Sequence, residues 1–240
     1  SYHIIPMVSA IWSMPPYEAG KMPMNFFLKF FQNHGLFKLR NRPQWFTVSQ
    51  RSKTYVNKVL SKISGEYFKN YKIKSVKRIS SGVQVYYGGN DEFFEYDKVV
   101  LATHADETLA LIENPTEEET KVLSNFNYRE NFAVLHSDEK MMPKNKKAWS
   151  SWNSFVDPKD LNKSSLSYWL NLLENLKIEK NIFLTLNPFR EIPEEKIFKK
   201  IKFSHPYFDQ KALDNQKNLQ KIQNKQNILF CGSYFGYGFH

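Results

Sequence analysis

Residues 228–240 read Ile-Leu-Phe-Cys-Gly-Ser-Tyr-Phe-Gly-Tyr-Gly-Phe-His. A short apolar run, predicted as a buried strand over 228–231, opens directly into a loop carrying Gly232, Gly236 and Gly238. In α/β folds a buried strand ending in a glycine-rich loop brings backbone N–H groups against a phosphate or a cofactor ring. Glycine permits an approach that any side chain would block. Spacing alone leaves an ordinary flexible loop open as the alternative.

A second segment has the same form. Lys98-Val-Val-Leu-Ala-Thr-His104 is a continuous apolar run ending in small residues. Runs of this kind mark strands buried on both faces, and their carboxyl ends are where cofactors sit in parallel sheets. A plain core strand with a solvent-facing His104 is the alternative. The two runs are expected to be neighbouring parallel strands.

Around them the period changes several times. Residues 72–79 and 83–87 alternate apolar with polar, Gly88-Gly-Asn-Asp91 is a hairpin turn, and 93–96 return as a strand. A helix is predicted over 106–112, and Thr116 with Glu119 forms a capping box for the next. Downstream, strands are predicted over 131–136, 148–155, 166–172 and 182–186, and a polar helix over 209–223. Upstream, Phe26, Phe27, Phe30 and Phe31 recur at helical spacing over 24–33, with His34-Gly35 as the stop. Ser52 caps a further helix with Tyr55, Val56, Val59, Leu60 and Ile63 on one stripe.

Composition bounds the possibilities. The chain has 240 residues, is 41% hydrophobic and 16% aromatic, which excludes disorder. The single cysteine, Cys231, excludes a disulfide framework and a cysteine-paired zinc site, and suits a reducing compartment. No run approaches the roughly 20 apolar residues of a membrane span. The net charge of +10 invites a nucleic-acid reading. Only Arg40, Arg42, Arg51, Arg78, Arg129 and Arg190 are arginine, however, and the lysines are spread among Asn, Ile and Phe. The six histidines show no metal spacing, so no metal is expected. A G-x-G-x-x-G fingerprint, a P-loop and a G-x-S-x-G elbow are all absent from the sequence. Trp149, Trp152 and Trp169 are candidates for an apolar ligand cleft, with plain core packing as the alternative.

Nine segments, taken in order, resemble a bacterial group of FAD-binding oxidoreductases of the flavin amine oxidase superfamily. They are Pro6-Met7 with Ala10-Ile-Trp-Ser13, Phe27 through Leu36, Arg42-Pro-Gln-Trp45, Val99 through Asp106, Ala133-Val-Leu-His136, Ala148 through Asn153, Thr185-Leu-Asn-Pro188, His205-Pro206 and Cys231 through His240. The resemblance implies an α+β architecture: an α/β FAD-binding part formed by 51–112 and 216–240, and a mixed-sheet substrate domain formed by 1–50 and 113–215. It implies an internal fragment, lacking an N-terminal dinucleotide-binding motif and a final helix, that alone binds FAD weakly or not at all. Ser49-Gln-Arg-Ser52 stands where relatives carry Gly-Gly-Ser.

For FAD, the resemblance points to Val76 as the backbone partner of adenine. Ala102, Thr103 and His104 would lie near the dinucleotide. Gly232 and Ser233 would face the diphosphate, and Gly236, Tyr237, Gly238, Phe239 and His240 would lead toward the ring. For a hydrophobic small-molecule substrate it points to Trp12, Phe27, Phe30, Trp149, Trp152 and Trp169. These tryptophans are expected to cluster, and at least one to share a cleft with the Phe-rich helix. The implied chemistry is hydride transfer to flavin from a C–N or C–C bond of an amine, an acyl chain or an isoprenoid, with no nameable catalytic residue. A cytoplasmic location, with peripheral contact at the inner membrane face, is expected. Two alternatives stay open: a basic, aromatic-rich single-stranded nucleic-acid binder, and a non-catalytic interaction module.

Overall fold

The computed structural model describes residues 4–89 and 92–239. In chain order its elements are α1 (Ile4–Trp12), α2 (Pro16–Ala19), α3 (Met24–Asn33), α4 (Ser52–Leu60), β1 (Ile73–Ile79), β2 (Gly82–Tyr87), β3 (Glu92–Tyr96), β4 (Val99–Leu101), α5 (Ala105–Leu111), α6 (Glu117–Leu123), β5 (Asn127–His136), β6 (Trp152–Asp157), β7 (Asp160–Trp169), α7 (Leu170–Leu173), β8 (Phe183–Leu186), β9 (Ile197–Tyr207), α8 (Gln210–Gln216), α9 (Leu219–Ile222) and β10 (Ile228–Phe230). The mixed α+β class is as expected. Two compact units interleave along the chain, Ser1–Ser64 with Glu130–His205, and Gly65–Arg129 with Pro206–His240. The cuts therefore differ from the expected ones: 51–64 go with the first unit, and 113–129 with 206–215 go with the second.

The first unit is built on a five-stranded sheet of order β6-β7-β8-β5-β9. Ala133 pairs with Leu186, and Leu186 with Leu166, so these three side chains share one face. Ala10 of α1 packs on them. The opposite face carries Val134, packed with Met141 and Ile192. The Phe-rich helix α3 buries Phe26, Phe27, Phe30 and Phe31, as its spacing requires. Trp12 closes on this stripe, its ring 4.7 Å from Phe30 and 5.8 Å from Phe26. Gly35, at φ +64, ends the helix in the left-handed conformation that glycine tolerates.

α4 departs from the sequence expectation. It forms from Ser52 but buries none of its residues, and Val56 and Val59 of its apolar stripe are exposed. Two strand boundaries also move. Lys146–Ala148 is a single 3-10 turn capped by Asn145, whose Oδ1 accepts from Lys147 N–H at 3.0 Å, so the strand expected from 148 starts at Trp152. The strand expected to reach 172 stops at Trp169 and passes into α7.

The second unit has an antiparallel sheet β1-β2-β3 and a separate parallel pair, β4 with β10. Gly82 opens β2 because nothing larger fits: a Cβ there would lie 2.2 Å from the Tyr96 carbonyl oxygen. The expected turn between β2 and β3 includes Asn90 and Asp91, which lie outside the described residues. The core gathers Val76, Val83, Leu101, Ile112, Leu123, Ile222, Ile228 and Tyr234, among others. The capping box of α6 is formed, Glu119 N–H donating to Thr116 Oγ1 at 3.1 Å and Thr116 N–H to Glu119 Oε2 at 2.9 Å. Glu119 is fully buried, and Arg78 supplies its counter-charge.

Candidate functional site

β4 and β10 are neighbouring parallel strands in the register Ile228–Val99, Leu229–Val100, Phe230–Leu101, as the two apolar runs predict. They are not buried on both faces: Val100 is 57% exposed. The pair continues one step beyond its ladder, because Cys231 N–H donates to the Leu101 carbonyl at 3.0 Å. That bond aligns the two carboxyl ends. Ala102 and Thr103 on one strand, and Cys231 and Gly232 on the other, are all exposed there.

The turn after β10 is shaped by its own packing. Gly232 adopts φ +151, and a Cβ on it would lie 2.8 Å from the Tyr234 ring and 3.4 Å from the Thr103 carbonyl. Tyr234 folds back into the core, and burial pushes its hydroxyl pKa up. Gln216 holds the loop from below, its Nε2 donating to the carbonyls of Tyr234 at 3.1 Å and Gly236 at 2.6 Å. A Cβ on Gly236 would meet nothing within 4 Å, so this glycine faces open space. Gly238 does not: at φ +90 its Cβ would strike Phe208 at 2.7 Å, so packing explains that glycine. Tyr237 is half-buried, Phe239 is exposed, and His240 lies outside the described residues.

On the other strand, Thr103 Oγ1 is 2.8 Å from Thr108 Oγ1, tying the strand end to α5. His104 caps α5, its N–H donating to Glu107 Oε2 at 3.2 Å, and its ring stacks 4.2 Å from Tyr128. The Tyr128 hydroxyl accepts from Ala105 N–H at 2.8 Å, and burial pushes its pKa up to about 12. Tyr128 therefore shapes this strand end, although it is distant in sequence and carries no local signal. Val76 is corrected. It is fully buried, and its carbonyl accepts from Glu113 N–H at 2.9 Å, so it presents no surface to a ligand.

The apolar candidates divide as well. In the first unit a cavity of about 390 Å³ is lined by α1 (Ile4, Met7), α3 (Phe27, Phe31) and the following loop (His34 to Phe37, Arg42, Pro43, Trp45). Phe27 is thus on the wall. Phe30 and Trp12 are not; they pack on each other in the core. The three other tryptophans do not form one cluster. Trp149 and Trp169 meet edge to face at 5.2 Å, each with its indole N–H engaged, by the Pro143 carbonyl at 2.8 Å and by Asn181 Oδ1 at 3.0 Å. Trp152 is 46% exposed and packs on Tyr168, opposite it across the strands. None of the three lines the cavity.

Behind the sheet runs a buried polar chain. His136 Nδ1 accepts from Asp138 N–H at 3.0 Å, which leaves the proton on Nε2 to donate to Thr185 Oγ1 at 2.7 Å. Thr185 and Ser167 hydroxyls are 2.7 Å apart, and Ser167 donates to the Met141 carbonyl at 3.1 Å. Burial lowers the His136 pKa to about 4, so the ring is neutral. Among the described residues no group of three His, Cys, Asp or Glu is placed to hold a metal ion, and no helix is long and apolar enough to cross a membrane.

No protein-family profile and no curated protein matches the sequence. Solved structures do match in fold. A protein from Exiguobacterium sp. 255-15 assigned as a protoporphyrinogen oxidase aligns with 98% of this chain and 59% of its own, at 11% identity and a TM-score of 0.61. Cyclohexylamine oxidase from Brevibacterium oxydans IH-35A aligns with 99% and 59%, at 11% identity and 0.58. The fatty acid isomerase of P. acnes that produces CLA aligns with 78% and 48%, at 13% identity and 0.54. The chain therefore shares the fold of these structures and spans 48–59% of their length.

Proposed function

We propose that this chain is part of an FAD-dependent oxidoreductase acting on a hydrophobic small molecule. The observation that carries the reading is the exposed convergence of Ala102, Thr103, Cys231 and Gly232 at the carboxyl ends of a parallel strand pair, the position where α/β sheets bind dinucleotides. The donor set fits such a group in part. Gly236 leaves open space where a side chain would intrude, Gly232 is exposed beside it, and Ser233 and Thr103 add hydroxyls. Val76, which is buried, and Gly238, which packs on Phe208, are not part of this reading. FAD bound there would supply the hydride acceptor.

The chain's own contribution is binding and water exclusion. The cavity against α3 falls within the size range of ligand pockets, roughly 300–1,000 Å³. Its lining contains Arg42 and His34 but no Asp or Glu. An ammonium group would find no carboxylate there, whereas an acyl or isoprenoid chain would find Phe27, Phe31 and Met7. This favours oxidation of a C–C bond over that of a C–N bond.

The test begins with Ala102. It is exposed, so Ala102→Trp should leave thermal stability unchanged while lowering the flavin content of the purified full-length protein at least tenfold. Unchanged flavin content in a folded variant would refute the assignment. Anaerobic bleaching of the bound flavin by unsaturated acyl chains, but not by alkylamines, would support the substrate class.

A further inference from the structure

The net charge of the chain is concentrated in one segment. Between Glu18 and Glu66 there are nine lysines and arginines and no carboxylate, so this stretch carries +9 of the net +10. Elsewhere 25 cations face 24 acids, that is, 34 − 9 against 24. The charge is therefore less evenly spread than the distribution of lysines suggests.

The same segment exposes large apolar side chains. Leu39 and Phe46 are 90% and 88% exposed, and Phe37 and Trp45 beside them are 52% and 64%. Isolated exposed apolar residues are ordinary. Here they alternate with Lys38, Arg40 and Arg42 in one loop, which runs on into α4 with its exposed Val56 and Val59 and its Lys53 and Lys58. Cations interleaved with exposed apolar side chains are what an interfacial lipid-binding element needs: the charges hold the anionic headgroups and the apolar tips enter the acyl boundary. The most exposed tips, Leu39 and Phe46, suit insertion into acyl chains; Leu39 in particular has no ring with which to stack on a base.

We infer that the loop over 37–48, extended by α4, docks on an anionic lipid bilayer. The surface is independent of the flavin reading, although it adjoins residues of the cavity, since Phe37, Arg42, Pro43 and Trp45 belong to both.

The experiment is flotation of the full chain with vesicles of phosphatidylcholine, alone or with phosphatidylglycerol. Binding is expected on the anionic vesicles at physiological salt and not on the neutral ones. Lys38→Gln with Arg40→Gln should weaken it roughly twenty-five-fold, on the order of fivefold per neutralised cation. Leu39→Ser with Phe46→Ser should weaken it about tenfold or more at unchanged charge. All four side chains are exposed, so the variants should keep the wild-type melting temperature. Failure to float with anionic vesicles would overturn the proposal, whether the surface is idle or covered by another protein segment. Wild-type flotation by the Leu39/Phe46 variant would overturn it too. So would a single-stranded oligonucleotide that displaces the protein from the vesicles at equal phosphate, which would mark the surface as a nucleic-acid site. Flavin content is not read in this assay, so the two proposals fail separately.

Discussion

Replacing Arg51 by glycine should stabilise the protein, although Arg51 lies where α4 begins and glycine is the poorer helix former. The reason is its backbone. Arg51 has φ +70 and ψ −175, a region open to glycine and closed to nearly every other residue. Gln50 before it is also left-handed, at φ +61. The chain thus keeps the shape of a glycine turn with side chains on it. Strain of this kind costs about 1–3 kcal/mol at a single residue. Glycine gives back about 0.5–1 kcal/mol through the greater freedom of the unfolded chain. The net gain for Arg51→Gly is therefore about 1 kcal/mol and at most about 2.5, or a rise in melting temperature of roughly 2–4 °C and at most about 10 °C for a domain of 150–250 residues. Arg51→Ala is the control. It removes the same positive charge from the acid-free segment but keeps the Cβ, and so keeps the strain. Calorimetry and urea denaturation of the three proteins separate the effects. A stabilisation of alanine equal to that of glycine would assign the gain to charge, and a destabilised glycine variant would refute the strain argument outright.

Other consequences follow from particular contacts. The folded His136 has its pKa lowered from 6.5 to about 4, so it stabilises fully above pH 6.5, and that contribution, about 3 kcal/mol, is lost as the pH falls from 6.5 toward 4. His136→Gln should remove this slope from the wild-type-minus-variant difference in urea stability across that window; a parallel pair of curves would show that the ring does not titrate as described. Gly82→Ala must move either its own strand or the Tyr96 carbonyl now 2.2 Å from the new Cβ, with a loss of about 1–3 kcal/mol by denaturant titration. Trp149→Ala should cost about 3 kcal/mol and Trp152→Ala about 1, because the first packs on Trp169 and Phe183 while the second is 46% exposed; equal losses would contradict the packing.

How much of this was legible in the amino-acid order depends on the distance over which each feature is decided. The strand pair β4–β10 and its glycine turn were legible because each run carries its own signal, apolar residues followed by small ones. The box at Thr116 and Glu119 was legible because both partners lie within one helical turn. α1 was not, since Pro6 within nine residues obscures a helix whose first turn tolerates it. β9 was missed because its burial is too irregular to show a clean period of two. The cavity was out of reach for a different reason. Its walls come from residues 4–7, 27–31 and 34–45, and only folding brings Ile4 near Trp45. The surroundings of Val76 were equally out of reach: it bridges Ile112, and its carbonyl accepts from Glu113 N–H, more than thirty residues on.

α3 and α4 make the limit concrete. Both carry an apolar stripe at helical spacing, and periodicity treats them alike. One buries four phenylalanines under Trp12; the other buries nothing. Spacing states that a face prefers to leave water, not what will cover it. The distinguishing information is charge. Both lie in the stretch without a carboxylate, but α3 carries a single lysine, Lys29, on its exposed side, whereas α4 alternates its stripe with Lys53 and Lys58. A stripe flanked by like charges gains little from packing into the interior of its own chain, where each lysine would have to leave water or find an acid. It gains more from a surface that supplies both apolar depth and negative charge. Read together, period and charge assign α3 to the core and α4 to an interface, a distinction that neither makes alone.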